Sequence, residues 1–114
     1  LTSYALIFME KFFIEGREFV PRIDFNPATN VLTISGESYH EYTHEFFEPI
    51  FSWVEHYVQE PKESVELNFK MSYFNTASSK CFYEIIEMLS RGNQDQLIVN
   101  WYYEEGDLDM RETG

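Results

Sequence analysis

The clearest hydrophobic pattern in the chain is a strand followed directly by a helix. From Val65 to Tyr73 apolar and polar residues alternate, which is the period of a half-buried β-strand. Apolar residues then recur at helical spacing, and the helix is predicted to end at Arg91 and Gly92 with a basic last turn and a glycine stop. The apolar face of this helix consists of Phe82, Ile85, Ile86 and Leu89.

Weaker patterns predict the other strands and a first helix with a broad apolar face. The predicted strands are Phe12–Ile14, Phe19–Phe25, Val31–Ser35, Val65–Tyr73 and Leu97–Tyr103. A turn at 26–30 joins the second and third strands, and a break at 36–38 leads into a helix from about Glu41 to Val58. Pro49 inside that helix predicts a kink or an irregular first turn. An acidic turn at 104–109 follows the last strand.

The order of these elements predicts the fold class. A strand–helix–strand unit requires a parallel strand pair with a right-handed crossover, whereas the early hairpin is antiparallel, so the sheet is mixed. The strand at 65–73 is polar at alternate positions, so the helices are expected mainly on one face. The prediction is therefore a two-layer α/β domain. Its open, polar sheet face would carry Arg22, Asp24, Glu66, Asn68, Lys70 and Asn100.

Composition narrows the possible partners and compartments. The formal net charge of the 114 residues is -12, which disfavours binding to nucleic acids and to anionic membrane surfaces. The single cysteine, Cys81, has no partner for an internal disulfide, as expected in a reducing, cytoplasmic setting. No apolar stretch reaches the length of a membrane span. The predicted domain is 9–114, and residues 1–8 are predicted to be a non-native or upstream extension.

The segment His40-Glu41-Tyr42-Thr43-His44 matches the HExxH pattern, in which two histidines on one helix face hold zinc and the glutamate acts as a base. The match lies at the very start of the predicted helix, where ring orientation is poorly fixed, and no third ligand stands at a suitable position. We interpret the histidines as partly exposed residues and expect no metal or other cofactor. A small zinc-dependent hydrolase using His40, Glu41 and His44 is the alternative hypothesis.

Small polar residues occupy the junction between the predicted strand and the second helix, in the segment Asn75-Thr76-Ala77-Ser78-Ser79. At a helix start the backbone N–H groups are unpaired, and the positive end of the helix dipole faces these residues. A hydroxyl at this place can cap the helix. It can also carry a phosphate, an anion that a helix N-terminus binds well. The residue types alone leave both roles open.

Five stretches of the chain resemble one protein family in their order and spacing. They are Gly36–Tyr39, Glu45–Phe47, Trp53–Glu55, Tyr73–Lys80 and Trp101–Tyr103. Together they resemble the SiaC family of bacterial regulatory phosphoproteins, from about Val20 to the end of the chain. The block Tyr-Phe-Asn-Thr-x-Ser-Ser-Lys at 73–80 is its most specific part.

The resemblance implies a fold similar to the STAS domains of anti-sigma-factor antagonists, in a protein that is not an enzyme. It implies a phosphothreonine at Thr76, surrounded by the partner-binding residues Asn75, Ser78, Ser79 and Lys80. It also implies three protein partners: a dedicated Ser/Thr kinase, a PP2C-type phosphatase and a regulated enzyme such as a diguanylate cyclase. Activation of such a cyclase raises cyclic-di-GMP and promotes biofilm formation.

The chain departs from the family pattern in two places. After Glu37-Ser38-Tyr39 it has His40 and Tyr42, where the family often has a proline and an asparagine, so the loop and its partner contacts are expected to differ. Family members usually continue past the point where this chain ends, so a final helix is expected to be missing. A third hypothesis is a purely structural subunit that oligomerises through the open sheet face, with Thr76 as a simple cap.

Overall fold

The computed structural model describes residues 9–102, which form five strands and two helices in the order β1, β2, β3, α1, β4, α2, β5. The strands are β1 (Phe12–Ile14), β2 (Arg22–Asn26), β3 (Val31–Ser38), β4 (Lys62–Phe74) and β5 (Gln94–Trp101). The helices are α1 (Thr43–Tyr57) and α2 (Thr76–Ser90). The predicted end of the last strand at Tyr103 and the acidic turn at 104–109 lie outside the described residues. No helix within 9–102 is long and apolar enough to cross a membrane.

All five strands belong to one mixed sheet, with neighbours in sequence order. The pairs β1–β2 and β2–β3 are antiparallel, whereas β3–β4 and β4–β5 are parallel. The helices α1 and α2 supply the two crossovers that parallel pairing requires. The predicted two-layer α/β fold with a mixed sheet is confirmed.

The core lies between the sheet and the two helices, because alternate strand residues and one face of each helix are apolar. Full burial of each large side chain contributes roughly 1.5–3 kcal/mol relative to leaving it exposed. The strand side of the core includes Ile23, Phe25, Leu32, Ile34, Val65, Leu67 and Phe69. The helix side includes Phe47, Ile50, Val54, Tyr57, Phe82, Ile85 and Leu89.

The opposite face of the sheet is mostly polar, as the alternation predicts, with Phe13 and Ile98 as exposed apolar residues on it. Asp24 forms ion pairs with Lys11 at 3.2 Å and with Arg22 at 3.5 Å. The side-chain amide of Asn100 donates to Oδ1 of Asn68 at 2.8 Å. Asn68 is buried on this face because β3 and β5 flank it on both sides, and the hydrogen bond from Asn100 satisfies its side-chain carbonyl oxygen.

The predicted break at 36–38 is wrong: β3 continues to Ser38 and contains an irregularity instead. Gly36 has φ +94, which a glycine adopts without strain, and the strand register shifts between Gly36 and Glu37. Gly36 pairs with Met71 and Glu37 pairs with Tyr73, so one residue of β4 is skipped. Beyond this bulge the alternation of β4 is reversed, and Tyr73 is 53% exposed.

The helix boundaries differ from the prediction at functionally relevant places. Helix α1 begins at Thr43 rather than at Glu41, and Pro49 lies inside a helix that continues past it without interruption.

At the other end of the domain, Gly92 follows the cap residue Arg91 of α2. The last turn of α2 holds no basic residue. A Cβ on Gly92 would lie 2.6 Å from Cβ of Val58, so this glycine provides space between α1 and the loop into β5.

Replacing Gly92 with Ala is expected to destabilise the protein by ~1–3 kcal/mol, because the added methyl group overlaps Val58 and the loop must move. For a domain of this size, each kcal/mol corresponds to a decrease of about 4–8 °C in Tm. Thermal unfolding by circular dichroism measures the change. The exposed neighbour Asn93 is the control, and Asn93→Ala should shift stability by less than about 0.5 kcal/mol. Equal Tm values for Gly92→Ala and wild type would contradict this packing role.

Candidate functional site

The junction between β4 and α2 is organised by a single capping residue, Asn75. Its backbone is extended, with φ -101 and ψ 179, and its side-chain oxygen accepts the N–H of Ser78 at 2.9 Å. The carbonyl of Asn75 accepts the N–H of Ser79 at 3.0 Å, which closes the first helical turn. These are the contacts of an asparagine N-cap. Of the two roles open to the junction, capping is therefore carried out by Asn75.

Thr76 is the first residue of α2, and its side chain is exposed to solvent. Within 9–102 its hydroxyl forms no hydrogen bond, whereas the neighbouring Asn75 and Ser78 side chains are both engaged. The first backbone N–H groups of the helix lie beside it, at the positive end of the helix dipole. The sequence places Thr76 at a helix start, and the structure adds that its hydroxyl is accessible and not needed as a cap.

Ser78 lies in the same turn but faces inward. It is 0% exposed, and its hydroxyl donates to the carbonyl oxygen of Ser38 at the end of β3. Its Oγ also lies 2.7 Å from Oγ of Ser38, so that the Ser38 hydroxyl donates to it in turn. The N–H of Asn75 donates to the same Ser38 carbonyl at 3.1 Å. In this conformation Ser78 positions the helix and is not at the surface, where the partner-binding role implied by the family resemblance would require it.

Lys80 is exposed one helical turn after Thr76, on the same side of α2, and Ser79 between them is half-buried. Lys80 lines a groove of about 730 Å³ between α1 and α2. Three carboxylates share this groove, from Glu48, Glu55 and Glu84. The Lys80 ammonium is thus the cation nearest in sequence to Thr76 on an otherwise acidic helix surface.

Three aromatic side chains to which the sequence assigned no role at the site form a row beside this junction, called here the aromatic row. The rings of Phe19 and Tyr39 are 5.1 Å apart, and those of Tyr39 and Tyr73 are 5.0 Å apart, both edge to face. Phe19 is 43% and Tyr73 is 53% exposed. Tyr73 was missed because the period of β4 predicts it on the buried face, and only the bulge turns it outward.

The HExxH segment does not adopt the geometry of a zinc site. His40 and Glu41 precede α1, and Nδ1 of His40 accepts the N–H of Tyr42 at 2.9 Å. Nε2 of His44 lies 3.1 Å from the Glu48 carboxylate on the exposed side of the helix. No group of three or more His, Cys, Asp and Glu side chains within 9–102 is placed to hold a metal ion. The two histidines therefore do not share the helix turn on which the hydrolase hypothesis depends.

Comparison with known proteins yields one family and several solved structures. A family model described as "SiaC family regulatory phosphoprotein" matches residues 14–114. An uncharacterized protein of Pseudomonas aeruginosa is 28% identical over 98 residues, which cover 84% of this chain and 78% of that protein.

The solved structures share the fold. SiaC of Pseudomonas aeruginosa superposes with a TM-score of 0.78 and 25% identity, covering 91% of this chain and 88% of that chain. A chain of the crystal structure of diguanylate cyclase SiaD in complex with its activator SiaC, from the same organism, gives a TM-score of 0.77 and 24% identity. That match covers 89% of this chain and 84% of the other.

The buried Ser38–Ser78 contact predicts a stability difference between two neighbouring serines. Ser78→Ala leaves the Ser38 hydroxyl without its acceptor and should cost about 1–3 kcal/mol. Ser79→Ala is the matched control, because the Ser79 hydroxyl forms no hydrogen bond within 9–102, and its effect should stay below about 0.5 kcal/mol. Urea unfolding at equilibrium measures both. Equal losses for the two variants would show that Ser78 does not anchor the helix.

Proposed function

The chain belongs to the SiaC family of regulatory phosphoproteins, and we propose that it is a partner-switch protein controlled by phosphorylation of Thr76. The observation that carries the proposal is the accessible Thr76 hydroxyl at the start of α2, next to an asparagine that already caps the helix. Asn75, Ser79 and Lys80 form its surroundings, and Ser78 holds the turn in place.

The proposed target is a signalling enzyme such as a diguanylate cyclase. In one of the similar structures diguanylate cyclase SiaD is in complex with its activator SiaC, and this supports an equivalent role for the present chain. In this role the protein performs no chemistry of its own and acts by binding in the cytoplasm. A dedicated Ser/Thr kinase and a PP2C-type phosphatase would add and remove the phosphate.

The isolated domain can accommodate a phosphate on Thr76. The group adds about 1.5–2 negative charges and three strong hydrogen-bond acceptors. The N-terminus of α2 stabilises such an anion by about 0.3–1 kcal/mol. Lys80, one turn away on the same side of the helix, adds a favourable charge interaction that solvent screens. Phosphorylation therefore leaves the fold intact, which a reversible switch requires.

An interface over Thr76 has the opposite energetics. Burying a dianion against a partner surface that lacks a matching cation costs desolvation energy that the helix dipole does not recover. A net loss of about 3 kcal/mol would weaken binding roughly a hundredfold. The unphosphorylated hydroxyl is small and neutral, so it adds no such cost. In this mechanism the complex dissociates on phosphorylation while the protein stays folded.

The first test is mass spectrometry of the protein isolated from its own cells, which should find phosphate on Thr76. In binding measurements by isothermal calorimetry against the enzyme that it regulates, Thr76→Ala should keep its affinity within about threefold of wild type. Thr76→Glu should bind roughly a hundredfold more weakly. Thr29→Glu is the matched control, because Thr29 is an exposed threonine in the turn before β3, at the opposite end of that strand from Ser38, which contacts the first turn of α2.

Two outcomes would contradict the switch. Thr76→Glu could bind as tightly as wild type, or Thr29→Glu could weaken binding as much as Thr76→Glu does. The second outcome would attribute the effect to total charge rather than to the position of Thr76.

A further inference from the structure

The aromatic row contains the one residue of the site whose backbone is strained. Phe19 has φ +77, a conformation that glycine adopts freely and that disfavours a bulky side chain. It sits in a tight turn in which Arg17 and Val20 exchange both backbone hydrogen bonds at 3.2 Å. Such strain costs stability and persists only where the surrounding structure enforces it.

Burial of the Phe19 side chain does not account for the strain, because the ring is 43% exposed and lies outside the hydrophobic core. The ring contacts Tyr39, and the carbonyl of Phe19 accepts the N–H of Tyr39 at 2.9 Å. The strained turn therefore holds a half-exposed ring in line with two tyrosines. This arrangement is typical of a binding surface, where strained backbone conformations cluster.

Carboxylates flank the row at both ends, because Glu18 adjoins Phe19 in sequence and Glu37 is the cross-strand partner of Tyr73. Desolvation raises the pKa of the Tyr39 phenol, and the nearby charges of Glu37 and Glu18 raise it further. Neither carboxylate forms an ion pair among the described residues. The surface thus combines exposed aromatic rings with unneutralised negative charge, which suits a guanidinium group that stacks on rings and pairs with carboxylates.

We propose that the aromatic row, with Glu18 and Glu37, is the docking site for an arginine side chain of the protein partner that binds beside Thr76. This inference rests on the proposed function and names the partner's chemistry at the same site. Tyr73 is the member of the row nearest to Thr76 in sequence, because it is followed by Phe74, the cap Asn75 and then Thr76. The pose requires the arginine to stack at the Phe19 end of the row, beside Glu18, so that the partner surface over Thr76 carries no cation.

The test uses a short arginine-containing peptide and the same peptide with citrulline, which keeps the shape but lacks the charge. Titrated into isotopically labelled protein, the arginine peptide should shift the NMR signals of Phe19, Tyr39 and Tyr73. The citrulline peptide should bind at least about fivefold more weakly. Equal binding of the two peptides, or shifts confined to other surfaces such as the groove between α1 and α2, would overturn the proposal.

The variant Phe19→Gly tests whether the Phe19 ring binds the arginine peptide or only stabilises the fold. The variant removes the ring and relieves the strain, so it should weaken binding of the arginine peptide about fivefold while Tm stays equal or rises. Phe13→Ala is the matched control, because Phe13 is a 45% exposed ring that already lies against Arg22 of the same chain. A lower Tm with unchanged binding for Phe19→Gly would mean that the ring only supports the fold. Equal weakening by Phe13→Ala would also overturn the proposal.

Failure of this proposal can be distinguished from failure of the proposed function. The peptide titration involves neither phosphate nor the regulated enzyme, so its result is independent of whether Thr76 is modified in cells. In a second measurement, Phe19→Gly should weaken binding of the unphosphorylated protein to the regulated enzyme as well. If the peptide binds at the row and the enzyme tolerates Phe19→Gly, the row is not part of the partner interface and the proposal fails.

Discussion

The geometry of the site depends on the buried hydrogen bonds of Ser38. Its carbonyl accepts both the N–H of Asn75 and the hydroxyl of Ser78, and its own hydroxyl lies 2.7 Å from Oγ of Ser78. In a low-dielectric interior these bonds reinforce one another, and breaking one would leave a polar group unpaired. The end of β3 and the start of α2 are therefore fixed together, and the exposed face of the first helical turn has a defined position.

In this turn, capping of the helix and anchoring of the helix to the sheet are carried out by different small polar residues. Asn75 caps the helix, Ser78 anchors it to the sheet, and neither task falls to Thr76. A threonine without a structural role can change its charge without disturbing the fold. A hydroxyl that served as the cap would lose its hydrogen bond on modification, so a switch built on it would alter the domain as well as the interface.

The sequence was sufficient to predict the fold class, because hydrophobic periodicity and the order of the elements dictate a mixed sheet with helices on one face. It could not predict that the Tyr73 side chain is exposed, because a one-residue bulge opposite Gly36 reverses which side chains of β4 face the core. The same limit applies to Ser78, whose burial depends on a contact with Ser38, 40 positions away in the chain. Gly92 matched the sequence pattern of a helix C-terminus, but only the structure shows that its missing side chain leaves room for Val58, the cap residue of α1, to pack closely.

Cys81 lies in α2, as Thr76 does, and its burial determines whether the thiol can be oxidised. Burial raises the pKa of its thiol, with a further contribution from Glu84, so the reactive thiolate is scarce near neutral pH. Peroxide attacks thiolates, and this thiol is both protonated and shielded from solvent. Oxidative stress should therefore leave this thiol unmodified, so that Cys81 gives the start of α2 no means of responding to the redox balance of the cell.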